Sequence, residues 1–141
     1  MLKRISFILV AVFTLFAVWW INSVPIFYGY SDKFEIYKTD SASITEIVQV
    51  DSIQYRFESN VCGESCLISK TLCDSFDVND FFSKFNAEIS IIEQTEECVS
   101  YYGYSKDIKY VKIMDGKPIN LHVAVGNEQI KVGSPIIFGS F

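Results

Sequence analysis

The hydrophobic pattern of this chain has two regimes, one continuous and one alternating. From Ile5 to Ile21 no charged residue interrupts seventeen consecutive positions. As a helix this run would extend about 26 Å, the short end of what crosses a hydrocarbon core of about 30 Å. Lys3 and Arg4 precede it, and Trp19-Trp20 close it. Cations on the leading side favour a cytoplasmic N-terminus, and paired indoles suit the opposite headgroup layer. A cleaved secretory signal shares the basic start, but its apolar core is usually about 7–15 residues and ends at a small-x-small site. Here Ala17 is followed two positions later by Trp19, and no cysteine at the end of the run could accept a lipid. A pilin-type leader would want an early acidic residue, which the run lacks. A buried helix of a soluble protein would leave the flanking charges and the double Trp unexplained. The expectation is an uncleaved membrane segment over Ile5 to Ile21 within an anchor and juxtamembrane region, 1–30. The domain, 31–141, would then lie outside the cytoplasm, or be secreted if the segment is cut.

Beyond that run the pattern shortens to strand-like alternation. Residues 31–61 read as mostly extended, with Ile53, Tyr55 and Phe57 alternating against Gln54, Arg56 and Glu58. Residues 43–50 fit a helix face or a β-branched strand equally. The clearest helix start is Phe76-Asp77-Val78-Asn79-Asp80-Phe81. Asp77 as N-cap places Asp80 at N3, and Phe76 can staple onto Phe81. Phe81, Phe82, Phe85 and Ile89 then bury one helical stripe. Further on, Ile89 and Ile91 begin a strand. A second strand, 98–104, follows an acidic turn at 93–97, and a third, 108–114, meets the hairpin pair Asp115-Gly116. Ile119, Leu121, Val123 and Val125 alternate with polar or small neighbours. Gly126-Asn127 turns the chain into 130–132, and Gly133-Ser134-Pro135 precedes a last extended piece, 136–138. The fold class expected is α+β, with one or two helices on a mostly antiparallel sheet.

Charge narrows the partners. Two of the twelve Lys and Arg precede the apolar run while all seventeen acids follow it, so the remainder carries a net −7. Phosphate backbones would repel such a surface, which argues against nucleic-acid binding. No repeat or low-complexity stretch divides residues 31–141, consistent with one unit of common size.

Cys62, Cys66, Cys73 and Cys98 all follow the apolar run, and an even count in an oxidising compartment suggests two disulfides. If 63–72 were helical, Cys66 and Cys73 would stand about 10 Å apart along the axis, too far to bond. Pairing Cys98 with Cys66 or Cys73 would instead close a loop worth about 3–4 kcal/mol. The motif Cys62-Gly63-Glu64-Ser65-Cys66 also admits a redox reading. Its spacer is one residue longer than usual and holds no cation to favour a thiolate. The cysteine spacings match no zinc site. Asp74, Asp77, Asn79 and Asp80 resemble a calcium loop only superficially, since Asn79 and Phe85 stand where Gly and Glu are needed.

His122, the only histidine, lies on the strand face opposite Leu121 and Val123, without a nucleophile pattern around it. Glu93, Glu96 and Glu97 read as a solvated turn rather than an acid–base pair. Tyr101, Tyr102, Tyr104 and Tyr110 either cap the sheet core or, with His122, form a binding surface. No cofactor or metal set is legible. The function expected is a membrane-anchored extracytoplasmic domain, non-enzymatic, that binds a protein partner or envelope component. The alternative is a thiol-disulfide protein using Cys62 and Cys66.

Overall fold

In the computed structural model, residues 2–40, 43–68 and 75–138 are described. Cys73, and Asp74 of the calcium-loop comparison, lie outside them. The elements in chain order are α1 (Leu2–Asn22), β1 (Lys33–Asp40), β2 (Ser43–Asp51), α2 (Ser52–Tyr55) and β3 (Val61–Leu67). There follow α3 (Val78–Lys84), β4 (Ala87–Gln94), β5 (Cys98–Ser105), β6 (Lys112–Met114), β7 (Lys117–Ile119), β8 (Leu121–Gly126) and β9 (Ile130–Ser134). Seven strands form one antiparallel sheet in the order β2-β1-β3-β9-β8-β5-β4, with β6 and β7 as a separate hairpin. This is a small α+β domain with a mostly antiparallel sheet.

One face of the sheet carries the main core. Phe34, Ile36, Cys66, Val132, Val123 and Leu121 pack there against Phe81 and Phe82 of α3. Helix α3 starts where capping chemistry places it. Asp77 accepts a hydrogen bond from the Asp80 amide at 2.9 Å, and the rings of Phe76 and Phe81 stand 5.2 Å apart. The helix stops at Lys84, and Asn86 takes a positive φ, so Ile89 belongs to β4 and not to the helical stripe. The hairpin at Asp115-Gly116 has positive φ at both positions, as a primed turn requires.

Further local expectations are corrected, and of the strand expected over 108–114 only Lys112–Met114 forms. Ile53, Tyr55 and Phe57 do not form a strand. Asp51 caps the amides of Ile53 and Gln54, Gln54 reaches back to the Asp51 amide, and this capping box winds 52–55 into α2. Of the segment taken conditionally as helical, 63–72, residues 63–67 belong to strand β3, bonded on both sides, and 69–72 lie outside the described residues. The last piece, 136–138, is not a strand. After β9 it crosses the second sheet face, where the Phe138 amide donates to Tyr37 Oη at 3.2 Å and the two rings meet edge-on.

Helix α1 leads into residues 25–30, which fold as successive turns. Phe27 is fully buried between the rings of Phe81 and Phe85, so this segment is part of the core rather than a spacer. Among the described residues no helix is long and apolar enough to cross a membrane; the described side chains of α1 begin at Phe7. The spanning segment expected over Ile5 to Ile21 is not established by the described part of the helix.

Candidate functional site

A cleft of about 710 Å³ opens where β1 begins and β3 ends. Tyr28, Tyr30, Ser31 and Asp32 form one wall; Gln49 and Ser52 another; Cys66, Leu67 and Lys131 the third. At its floor Lys131, brought in by β9, contacts Glu35 of β1 at 2.7 Å. Ser65 of the intervening strand donates to the same carboxylate oxygen at 3.1 Å. The antiparallel register dictates this meeting, since Glu35 lies opposite Ser65 and Lys131 opposite Leu67 on adjacent strands. The Lys131 side chain is largely buried and the Glu35 carboxylate partly open. The cleft therefore offers two ammonium groups, Lys33 and Lys131, two carboxylates, Asp32 and Glu35, hydroxyls and aromatic edges, a set suited to holding a polar backbone or zwitterionic group.

On the core side of β3 lies a second polar assembly. Glu64 is fully buried, and its carboxylate accepts from Tyr55 Oη at 2.6 Å and from the Phe27 amide at 3.2 Å. Burial raises its pKa from the ordinary 4.5 to about 7, against the opposing pull of these donors. Tyr55 is pushed far up by burial and by the Glu64 charge, and Tyr110 hydrogen-bonds to it. The arrangement fastens the segment after α1 to the sheet.

The cysteines are not paired among the described residues: Cys62, Cys66 and Cys98 are free thiols. Cys62 and Cys66 are four residues apart on one extended strand, about 13 Å between Cα atoms, beyond disulfide reach. Burial raises both thiols, Cys66 to about 12, so neither is poised as a thiolate.

The tyrosines and His122 do not form one surface. Tyr101 packs against the core, whereas Tyr110 turns toward Tyr55. Tyr102 stacks on His122 at 4.2 Å between centroids and donates to Glu93 at 2.9 Å. Tyr104 lines a different, shallow hollow with Lys106 and Lys117. His122, on the strand face opposite Leu121 and Val123, is nevertheless buried, because the strap 135–138 covers that face. Its Nδ1 accepts from the Ile137 amide at 3.1 Å, and burial lowers its pKa to about 4. The neutral ring then carries its proton on Nε2, which has no hydrogen-bond partner. No group of His, Cys, Asp or Glu able to hold a metal ion occurs among the described residues.

Sequence reasoning missed Glu35, Lys131 and Glu64. Glu35 and Lys131 are separated by most of the chain and meet only through the strand order. Glu64 was visible only as a spacer between two cysteines. Comparison with protein-family models, curated proteins and solved structures finds no match.

Proposed function

We propose that this chain is a membrane-anchored domain, held outside the cytoplasm, that acts by binding a partner in the cleft between residues 28–35 and the ends of β3 and β9. The observation that carries the anchoring is α1 itself. From Phe7 to Ile21 its apolar side chains are exposed all round the helix, with no protein layer against most of them. A helix apolar on every side belongs inside a large core or in lipid, and a domain of this size offers no such core. Its polar groups are closed on the helix. Thr14 bonds to the Val10 carbonyl, and Asn22 and Ser23 bond to those of Val18 and Trp19, as hydrocarbon requires. Taken from Ile5, the run reaches about 26 Å. Lys3 and Arg4 orient it with the domain outside.

The cleft supports the binding role through its Lys131–Glu35 pair. A buried cation already compensated by a carboxylate holds a polar ligand without a reactive group of its own, and the raised Cys66 thiol beside it is not a nucleophile near neutral pH.

Membrane fractionation with carbonate extraction, and protease accessibility on intact cells, test the placement. The chain should remain with the membrane, and residues 31–141 should be digested from outside. Recovery of the full chain in the soluble fraction would end the anchored reading. For the cleft, crosslinking in intact cells should capture a partner with the parent that Lys131→Met loses while remaining folded. Equal capture by both would move the site elsewhere.

A further inference from the structure

We infer that the turn of chain around α2, led by Ile53 and Phe57, is a membrane-contacting surface of the domain that seats in the lipid headgroup layer beside Trp19 and Trp20. This rests on the anchored reading above and adds to it a second point of contact.

The two large apolar residues of this turn have little protein around them: Ile53 is 61% exposed and Phe57 68% exposed. Neither helps fold α2, whose winding comes from the Asp51–Gln54 capping box. The turn is also fixed to the last residues of α1. The Phe57 ring lies 5.9 Å from that of Trp19, and the Arg56 guanidinium stands 4.2 Å over the Trp20 ring while donating to the Trp20 carbonyl. Phe57 therefore shares the depth of Trp19 to within about one ring contact. If the indoles occupy the interfacial belt, Phe57 does too, because burial of Phe27 and its hydrogen bond to Glu64 prevent the domain from swinging away.

The charges agree with this placement. Arg56 and Lys109 border the same hollow under the end of α1, whose one carboxylate, Glu58, is bound to Lys38 at 2.6 Å. In a chain that is otherwise acidic, cations sit where phosphates would be. Their apolar stems and the Arg56–Trp20 contact suit residues that lie along an interface with the charge in the wet layer.

The test uses the full chain reconstituted in vesicles of phosphatidylcholine and phosphatidylglycerol, with Trp19→Phe and Trp20→Phe removing the native indoles and Phe57→Trp or Ile53→Trp introducing a reporter. Both sites are exposed, so the fold tolerates the larger ring. Lipids brominated at shallow acyl positions should abolish most of the reporter's emission, and aqueous iodide should quench it weakly. Vesicle flotation of the same samples reads the anchor separately. A chain that floats with both reporters quenched by iodide and untouched by bromine overturns the inference and leaves the anchor standing. A chain that does not float overturns the anchored reading and this inference with it.

Discussion

At the scale of single residues, Glu64 and His122 are opposed pH sensors. Glu64 is raised from 4.5 to about 7, so between those values the native state keeps a proton that the unfolded chain has lost. Its contribution therefore falls as pH rises through that window. His122 is lowered from 6.5 to about 4, so there the unfolded chain holds a proton that the native state lacks, and stability falls as pH drops. Each effect amounts to roughly 3 kcal/mol over its full window, and the two largely cancel where the windows overlap. Urea midpoints of the parent should vary little from pH 4.5 to 6.5. Glu64→Gln should leave the acid-labile slope of His122, and His122→Gln the opposite slope of Glu64. Parallel curves for all three proteins would refute the assignment. Neither residue was legible as buried. Glu64 sits between two cysteines, and the strap that covers His122 arrives from thirteen or more positions further along the chain.

At the scale of elements, legibility followed the range of the physics. The Asp77 cap, the Phe76–Phe81 staple and the Asp115-Gly116 turn are set within six residues, and all three form as read. Replacing Asp77 by Ala should cost about 0.5–2 kcal/mol, and by Asn much less, because Asn keeps the acceptor. Thermal unfolding with calcium and with chelator should be indistinguishable; a calcium-raised midpoint in the parent would point to ligation instead. Helix α2 was misread because Ile53, Tyr55 and Phe57 alternate by chance of composition, while the deciding signal, Asp51 followed three residues later by Gln54, was local and available. Strand β3 was hidden for a different reason, since Glu64 and Ser65 are polar yet fully buried, and their partners come from β1, from Tyr55 of α2 and from the segment after α1. The join between α3 and the sheet depends on Gly103. A Cβ there would collide with the Glu88 carbonyl and come within 2.5 Å of the Phe82 ring. Gly103→Ala should destabilise by about 1–3 kcal/mol, read by chemical denaturation, and parent-like stability would show that α3 can shift freely.

For the whole molecule, the strand order matters more than any one contact. Strand β9, short and late in the sequence, lies between β3 and β8 and among the described residues is the only link in the sheet between β2-β1-β3 and β8-β5-β4. Ile130→Ala, which removes a buried side chain from that link, should cost about 2–5 kcal/mol. Hydrogen exchange should then show amides of both flanking groups losing protection together. Faster exchange in β3 alone would mean that the two groups are independent units.

The central position of β9 also sets a timetable for biogenesis. A ribosome makes the strands on either side of it first, and each group then exposes an unpaired backbone edge, along β3 and along β8, until residues 130–134 emerge. Those two edges are complementary to any extended segment, including the same strands of a neighbouring nascent chain. The β3 edge waits longest, from the end of β3 at Leu67 until β9 arrives, and that interval is when this protein is most exposed to mispairing and when a holding chaperone would matter most.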